Sequence, residues 1–493
     1  MQQPRPRPGI TGDRHAGAGG PHSTGTGGPH GTGAGGPHRA GAGGLRHARA
    51  PRRALTFAAV AALTLAAVTS ASTPLGDSGH VSPGPAGTLR AKAASDTSGQ
   101  VRTQPEPAGP PGSAEAAEAS VRPCRIAGTR GVQLSEGMPT PSGYTRSTGE
   151  VRALNLMIDF SDAPGQGRAL DRFQEFAPQT AAWFETSSYG RLRYVPEAPV
   201  TDWLRMPLPF AEYGIERGAP FEPGYEQLVQ DIVATADPQV DFSAYDLVNI
   251  LVTPNAGPSA LDTVLSVTFS GNHEAPVADG VPLANTSFVY SRQDDGSGSY
   301  SETGFRVLPH ENGHVFGLPD LYTTDGGASV GHWDIMSEDW GANNDLLGWH
   351  KWKLGWLDSR QIGCATGTGS TELTLAPLSS PTGSRKLAFV PLSDKTGYAI
   401  EVRTRGGNDD AVCKPGVLVY RVDADVDTGN GPITVADSER DSGGCTRRPN
   451  VHLELSDAPF APGTSFTDKE RRVRVDVLDQ DEAGNHRVRI TRG

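Results

Sequence analysis

Cysteine is scarce in this 493-residue chain: there are four (Cys124, Cys364, Cys413 and Cys445), and no two form a CxxC pair. Long apolar runs are also lacking. The stretch Leu55–Val68 falls short of the ~20 residues that cross a bilayer comfortably, so no stable membrane insertion is expected. Basic charge is deficient. Eight arginines and Asp13 give residues 1–72 a balance of +7, so the −12 of the whole chain leaves about −19 for the rest. A body this acidic lacks the clustered Lys and Arg that phosphate contacts need, which excludes a nucleic-acid partner. Its own charge keeps it dispersed. No internal repeat is visible beyond the first fifty residues.

What is present begins with a low-complexity segment, 1–53, where "HAGAGGPH", "GTGGPH" and "GAGGPH" recur. Glycine at that density buries too little apolar surface to offset chain entropy, so disorder is expected, and histidines on such a chain form no fixed metal site. Residues 54–72 follow a basic run ending at Arg53 and supply a short apolar core with small residues near Ala71, the layout of an export signal. A single uncleaved anchor is the competing reading, and the paired Arg52 and Arg53 match a twin-arginine signal only weakly. Residues 73–123, rich in Pro, Ala, Gly and Ser, read as a linker or pro-segment, with order expected near Cys124. An even cysteine set in an exported chain reads as two disulfides. Cys413 and Cys445 bracket one loop-rich region and are expected to pair, leaving Cys124 with Cys364. The alternative for Cys124 is a thiolate that caps a metal and keeps the protein latent.

The body divides into two textures. Through 124–360, strand-like runs ("VRALNLMIDFSD", "AYDLVNILVTPNAG") alternate with helical ones, such as the stretch from Phe173 that Gly190 stops, and predict a twisted sheet with packed helices. Through 361–493, short alternating runs ("KLAFVPLS", "GYAIEVRT", "GVLVYRVD", "RRVRVDVLD") separated by Gly, Pro, Asp and Ser predict an all-β, sandwich-like domain. The fold class expected is therefore α+β.

Chemistry concentrates in "LPHENGHVFGLPDLY", from Leu308. His310 and His314, four apart, share one helix face and suit one Zn2+. Glu311 points about 100° around the helix, off the metal but within reach of a water on it. That places it to take the water's proton and return it to a leaving amine. Gly317 and Pro319 stop the helix and bring Asp320 back as a third ligand, completing HExxHxxGxxD. Pro309 sits where a helix former is expected, so the helix either starts there or is kinked.

With these residues in place, the chain resembles the secreted zinc metallopeptidases of the immune inhibitor A type. The resemblance covers most of 145–360 and rests on six ordered segments: "RALNLMIDFSD", "SSYGRLRYVPEAPV", "YDLVNILVTPNAG", "HENGHVFGLPDLY", "GHWDIMS" and "WHKWKLGWLD". It implies a zincin-type, metzincin-like catalytic domain with an active-site helix, endopeptidase activity on extracellular proteins or peptides, and a methionine turn under the zinc. Met336 in "WDIMS" matches that turn and would pack beneath the ligands. For the third ligand, His350 in "WHKWKLGW" competes with Asp320. Glu338 stands where a tyrosine would donate to the oxyanion, which leaves His332 and Tyr322 as candidates. "DADVDTGNG", from Asp423, looks superficially like a Ca2+ loop but lacks the bidentate Glu at its twelfth position, and reads as a turn between strands. Two other functions compete: a degenerate extracellular binding protein, and a zinc-dependent cell-wall peptide amidase.

Overall fold

The computed structural model describes residues 111–493 apart from 217, 255, 257–265, 291, 295–299, 303, 324–326, 328, 338–344, 411 and 446–452. The Gly/His-rich segment, the stretch read as an export signal, the residues up to 110 and Glu338 lie outside the described residues. Helix begins ahead of Cys124: α1 (Pro111–Val121) precedes it, and its Glu118 pairs with Arg125 at 3.0 Å.

The run "VRALNLMID" forms the inner part of β1 (Gly149–Asp159), almost wholly buried. Apolar sequence this continuous suits a strand covered on both faces, as in a parallel sheet. α2 (Ala169–Ser187) leads from it to β2 (Leu192–Glu197). Gly190, at φ 74°, turns the chain past the helix end, its amide donating to Glu185 O (2.8 Å). β3 (Leu204–Arg205), α3 (Glu226–Ala236) and β4 (Leu247–Val252) follow. Next come β5 (Val267–Phe269), a small hairpin of β6 (Val277–Ala278) and β7 (Val281–Pro282), and β8 (Thr286–Val289).

The sheet order is β2-β1-β4-β8-β5, with β3 also on β1; all pairings are parallel except that of β5, which runs antiparallel to β8 at the edge. One sheet face (Leu154, Leu156, Ile158, Ile250) packs on Leu228 and Ile232 of α3. The other (Met157, Leu251, Val289) packs on Phe176 of α2 and on Val307 and Leu308. Those last two open α4 (Val307–Val315), which a hairpin of β9 (Arg292–Asp294) and β10 (Tyr300–Glu302) precedes.

After α5 (Gly348–Lys353) the remaining strands are β11 (Ile362–Cys364), β12 (Gly369–Leu375), β13 (Leu387–Pro391), β14 (Thr396–Arg403), β15 (Gly416–Asp423), β16 (Ile433–Val435), β17 (Ser465–Asp468), β18 (Val473–Gln480) and β19 (His486–Arg492). They form a five-stranded sheet, β11-β13-β14-β15-β16, and a four-stranded one, β12-β19-β18-β17. The period-2 pattern of "VRVDV" puts Val473, Val475 and Val477 on one face, where they meet Val402, Val417 and Val419 of the first sheet. The opposite face of that sheet (Phe389, Leu418, Tyr420) joins Trp349, Trp352 and Trp356 in a core continuous with α4's end at Val315. The whole is a mixed α+β structure, and all the described residues lie in one compact unit.

Disulfides join Cys124 to Cys364 and Cys413 to Cys445. Cys124 is therefore no thiolate, which removes it as a metal cap. Among the described residues no helix is long and apolar enough to cross a membrane.

Candidate metal centre

Every residue of α4 is buried. Pro309 is its third residue, in the first turn, where a missing N–H has no intrahelical acceptor to lose. The helix ends in paired reverse bonds: Gly317 N donates to His314 O (2.9 Å) and Leu318 N to Gly313 O (2.9 Å). That arrangement needs a left-handed residue, and Gly317 supplies φ 90°. The reversal brings Asp320 under the helix.

His310, His314 and Asp320 are the one group of three or more ligand-type side chains found converging among the described residues, and all three are buried. Nε2 of His310 and Nε2 of His314 each lie 3.2 Å from Asp320 Oδ1. His310 Nδ1 faces Ile335 O and His314 Nδ1 faces Leu318 O, both at 2.8 Å. A carbonyl only accepts, so each Nδ1 carries the proton, and a neutral ring then turns its Nε2 lone pair inward. Two nitrogen lone pairs and a carboxylate oxygen thus face one space, which a cation could balance. Ligand atoms around a tetrahedral ion at ~2.0–2.1 Å stand about 3.3 Å apart, close to the spacing seen. The group can hold a metal ion.

Glu311 is buried beside this group. Thr268 of β5 donates its hydroxyl to Glu311 Oε2 (2.7 Å), while Oε1 has no hydrogen-bond partner among the described residues. Burial raises this carboxyl, against the lowering pull of the Thr268 hydroxyl. Beneath the helix, a Cβ on Gly313 would meet Met336 Sδ at 2.4 Å, so only glycine lets the thioether lie this close. The Met336 turn is held by Asp334, whose Oδ1 accepts from Met336 N (2.8 Å), and by Leu321 N donating to Met336 O (3.0 Å).

His350, the competing third ligand, stands elsewhere: its Nδ1 meets Asp334 Oδ2 at 2.8 Å and its Nε2 meets Glu136 Oε1 at 3.0 Å. Of the two oxyanion candidates, Tyr322 lies parallel to the His310 ring (centroids 6.5 Å, 12°) and buried His332 stacks on Trp333 (5.3 Å). The carboxylates of "DADVDTGNG" are engaged by protein donors: Arg421 on Asp423, Thr129 on Asp425, and Gln133 N on Asp427 (2.7 Å).

Sequence reasoning missed the polar lattice that fixes α4 to the sheet. Asn312 donates to Asn249 Oδ1 (2.8 Å) and Ser287 Oγ (3.2 Å) and accepts from Tyr194 (2.7 Å); Asn249 donates to Asn155 Oδ1 (3.1 Å). Ser287 lies 2.8 Å from the Thr268 hydroxyl, which closes the lattice onto Glu311. The signal was present: Asn155 and Asn249 interrupt otherwise apolar strands, and a buried polar group requires a partner. No protein-family model matches the chain, and a search of the curated proteins finds no match.

Proposed function

We propose that the chain is an exported zinc endopeptidase with a metzincin-like catalytic region, hydrolysing extracellular proteins or peptides. One observation carries the reading: three buried donors converge beside a carboxylate oxygen, Glu311 Oε1, that has no hydrogen-bond partner among the described residues. The six ordered segments support the peptide substrate. Thr268, on the antiparallel edge strand β5, touches Glu311. The two disulfides fit an exported chain.

His310, His314 and Asp320 would hold the zinc, which when bound acidifies a water and polarises a carbonyl. Glu311 accepts the water's proton on Oε1 and passes it to the leaving amine nitrogen. Burial favours the protonated form of this carboxyl, which assists that uptake. Thr268 pins Oε2 so that Oε1 keeps its aim.

The test is metal analysis of the purified protein with a casein digestion, before and after chelation. About one zinc per chain is expected, with digestion lost on chelation and restored by added zinc. Protein without stoichiometric metal overturns the reading. Metal-dependent cleavage of peptidoglycan fragments, with casein intact, moves the assignment to a cell-wall amidase.

A further inference from the structure

We infer that the turn between β15 and β16 belongs to the metal centre, with Thr428 as the positioning residue for Asp320. The inference rests on the reading of His310, His314 and Asp320 as a metal site, and extends it to the all-β region.

Asp320 lies beyond the reversal at Gly317, so α4 does not hold it. Its backbone is held from the other half of the chain: Asp320 N donates to Thr428 Oγ1 (2.8 Å), and Gly429 N donates to Asp320 O (3.1 Å). The Thr428 hydroxyl, having accepted that amide, directs its proton toward Asp320 Oδ2 at 3.4 Å. Oδ1 is the oxygen facing both imidazoles. The carboxylate is thus divided, with one oxygen toward the ligand group and the other toward Thr428. Hydrogen bonds of this kind orient a metal-bound carboxylate.

The turn is itself braced on two sides. Asp427 accepts from Gln133 N (2.7 Å), Thr428 N donates to Gln133 O (3.2 Å), and Asp425 accepts from Thr129. On the other side Asn430 bridges to Thr323, Ser329 Oγ donates to Ile433 O (2.8 Å), and Val435 N donates to Ser329 O (2.9 Å). A threonine on a floppy turn would place nothing; one fixed between Thr129 and Gln133 on one side and Thr323 and Ser329 on the other places Asp320. The alternating acids of "DADVDTGNG" are then explained as anchors of the turn rather than as cation ligands.

Zinc affinity of the full chain, read by competition with a chromophoric chelator, tests this. Thr428→Val keeps the shape and removes both hydrogen bonds, and is expected to weaken zinc binding roughly 10–100-fold. Thr428→Ser should restore wild-type affinity. The thermal midpoint of the metal-free protein should be unchanged in Thr428→Ser and fall only slightly in Thr428→Val, where the Asp320 amide loses its acceptor on a half-buried turn. In an Asp320→Ala background, Thr428→Val should change affinity no further. Equal affinity of the wild type and Thr428→Val overturns the inference and leaves the metal reading standing. Equal loss in the Ser and Val variants, or a matching fall in the metal-free midpoint, also overturns it. A wild-type chain that binds no zinc overturns the metal reading, and this inference with it.

Discussion

Two buried histidine clusters lie in this molecule with opposite stoichiometry. At the proposed metal centre two imidazoles converge on the one carboxylate of Asp320. Around His350 two carboxylates, Asp334 and Glu136, flank one imidazole, all fully buried. The difference lies in where the ring protons go. Both His350 nitrogens meet carboxylates, so the ring takes a second proton; burial opposes this, but Asp334 and Glu136 outweigh it and push the pKa up to about 10. His350 supplies its own cation. At the metal centre each Nδ1 proton is committed to a backbone carbonyl, which leaves the Nε2 atoms short of one. Identical residue types thus form a closed ion cluster in one place and an open ligand set in the other. Asp334 joins the two, gripping His350 with Oδ2 and the Met336 turn with Oδ1.

The largest expected effect separates the clusters outright. His314→Ala should abolish stoichiometric zinc by metal analysis, whereas His350→Gln should keep it; loss of zinc in both would break the distinction. Next, Glu311→Gln should cut casein hydrolysis by ~10²–10⁴-fold with zinc content unchanged, the range for a positioned proton-transfer group. Undiminished hydrolysis would remove Glu311 from the mechanism. Third, His350→Gln should cost about 3–5 kcal/mol in denaturant unfolding, because it strands two buried carboxylates. The same loss from a substitution at His314 in the metal-free protein would make both clusters structural.

Legibility in the sequence followed chain distance. His310, Glu311, His314, Gly317 and Asp320 fall within eleven positions, so helix period and a stop signal suffice to bring them together. The alternating runs of β14, β15 and β18 likewise carry their own period. Thr268, Ser287 and Thr428 were not legible. Each is a lone hydroxyl on a separate element, and Thr428 meets Asp320 across 108 residues, a pairing that sheet order and not spacing decides. Cys124 showed both sides of this: two pairings were open on chemistry alone, and packing beside Cys364 chose between them. His350 was ambiguous for the same reason, since its two carboxylates come from Glu136 and Asp334, far apart in the chain.

The smallest effect sharpens the comparison through pH. A group whose folded pKa lies above its unfolded value stabilises fully below the unfolded value and loses that contribution as pH rises toward the folded one. For His350 the window runs from 6.5 to about 10. Within it the folded chain holds a proton that the unfolded chain has released, so unfolding free energy falls with rising pH by up to ~1.4 kcal/mol per unit. Lys353 and Lys386 act with the opposite sign: burial lowers each to about 8, so above that pH the folded chain releases protons first and stability rises. Between pH 6.5 and 8, below the range where the lysines act, the comparison with His350→Gln singles out His350. Metal-free protein should lose stability across it in denaturant titrations, and His350→Gln should flatten the slope. Parallel slopes in the two proteins would mean that the ring between Asp334 and Glu136 is neutral, and the contrast with the metal centre would then lose its electrostatic basis.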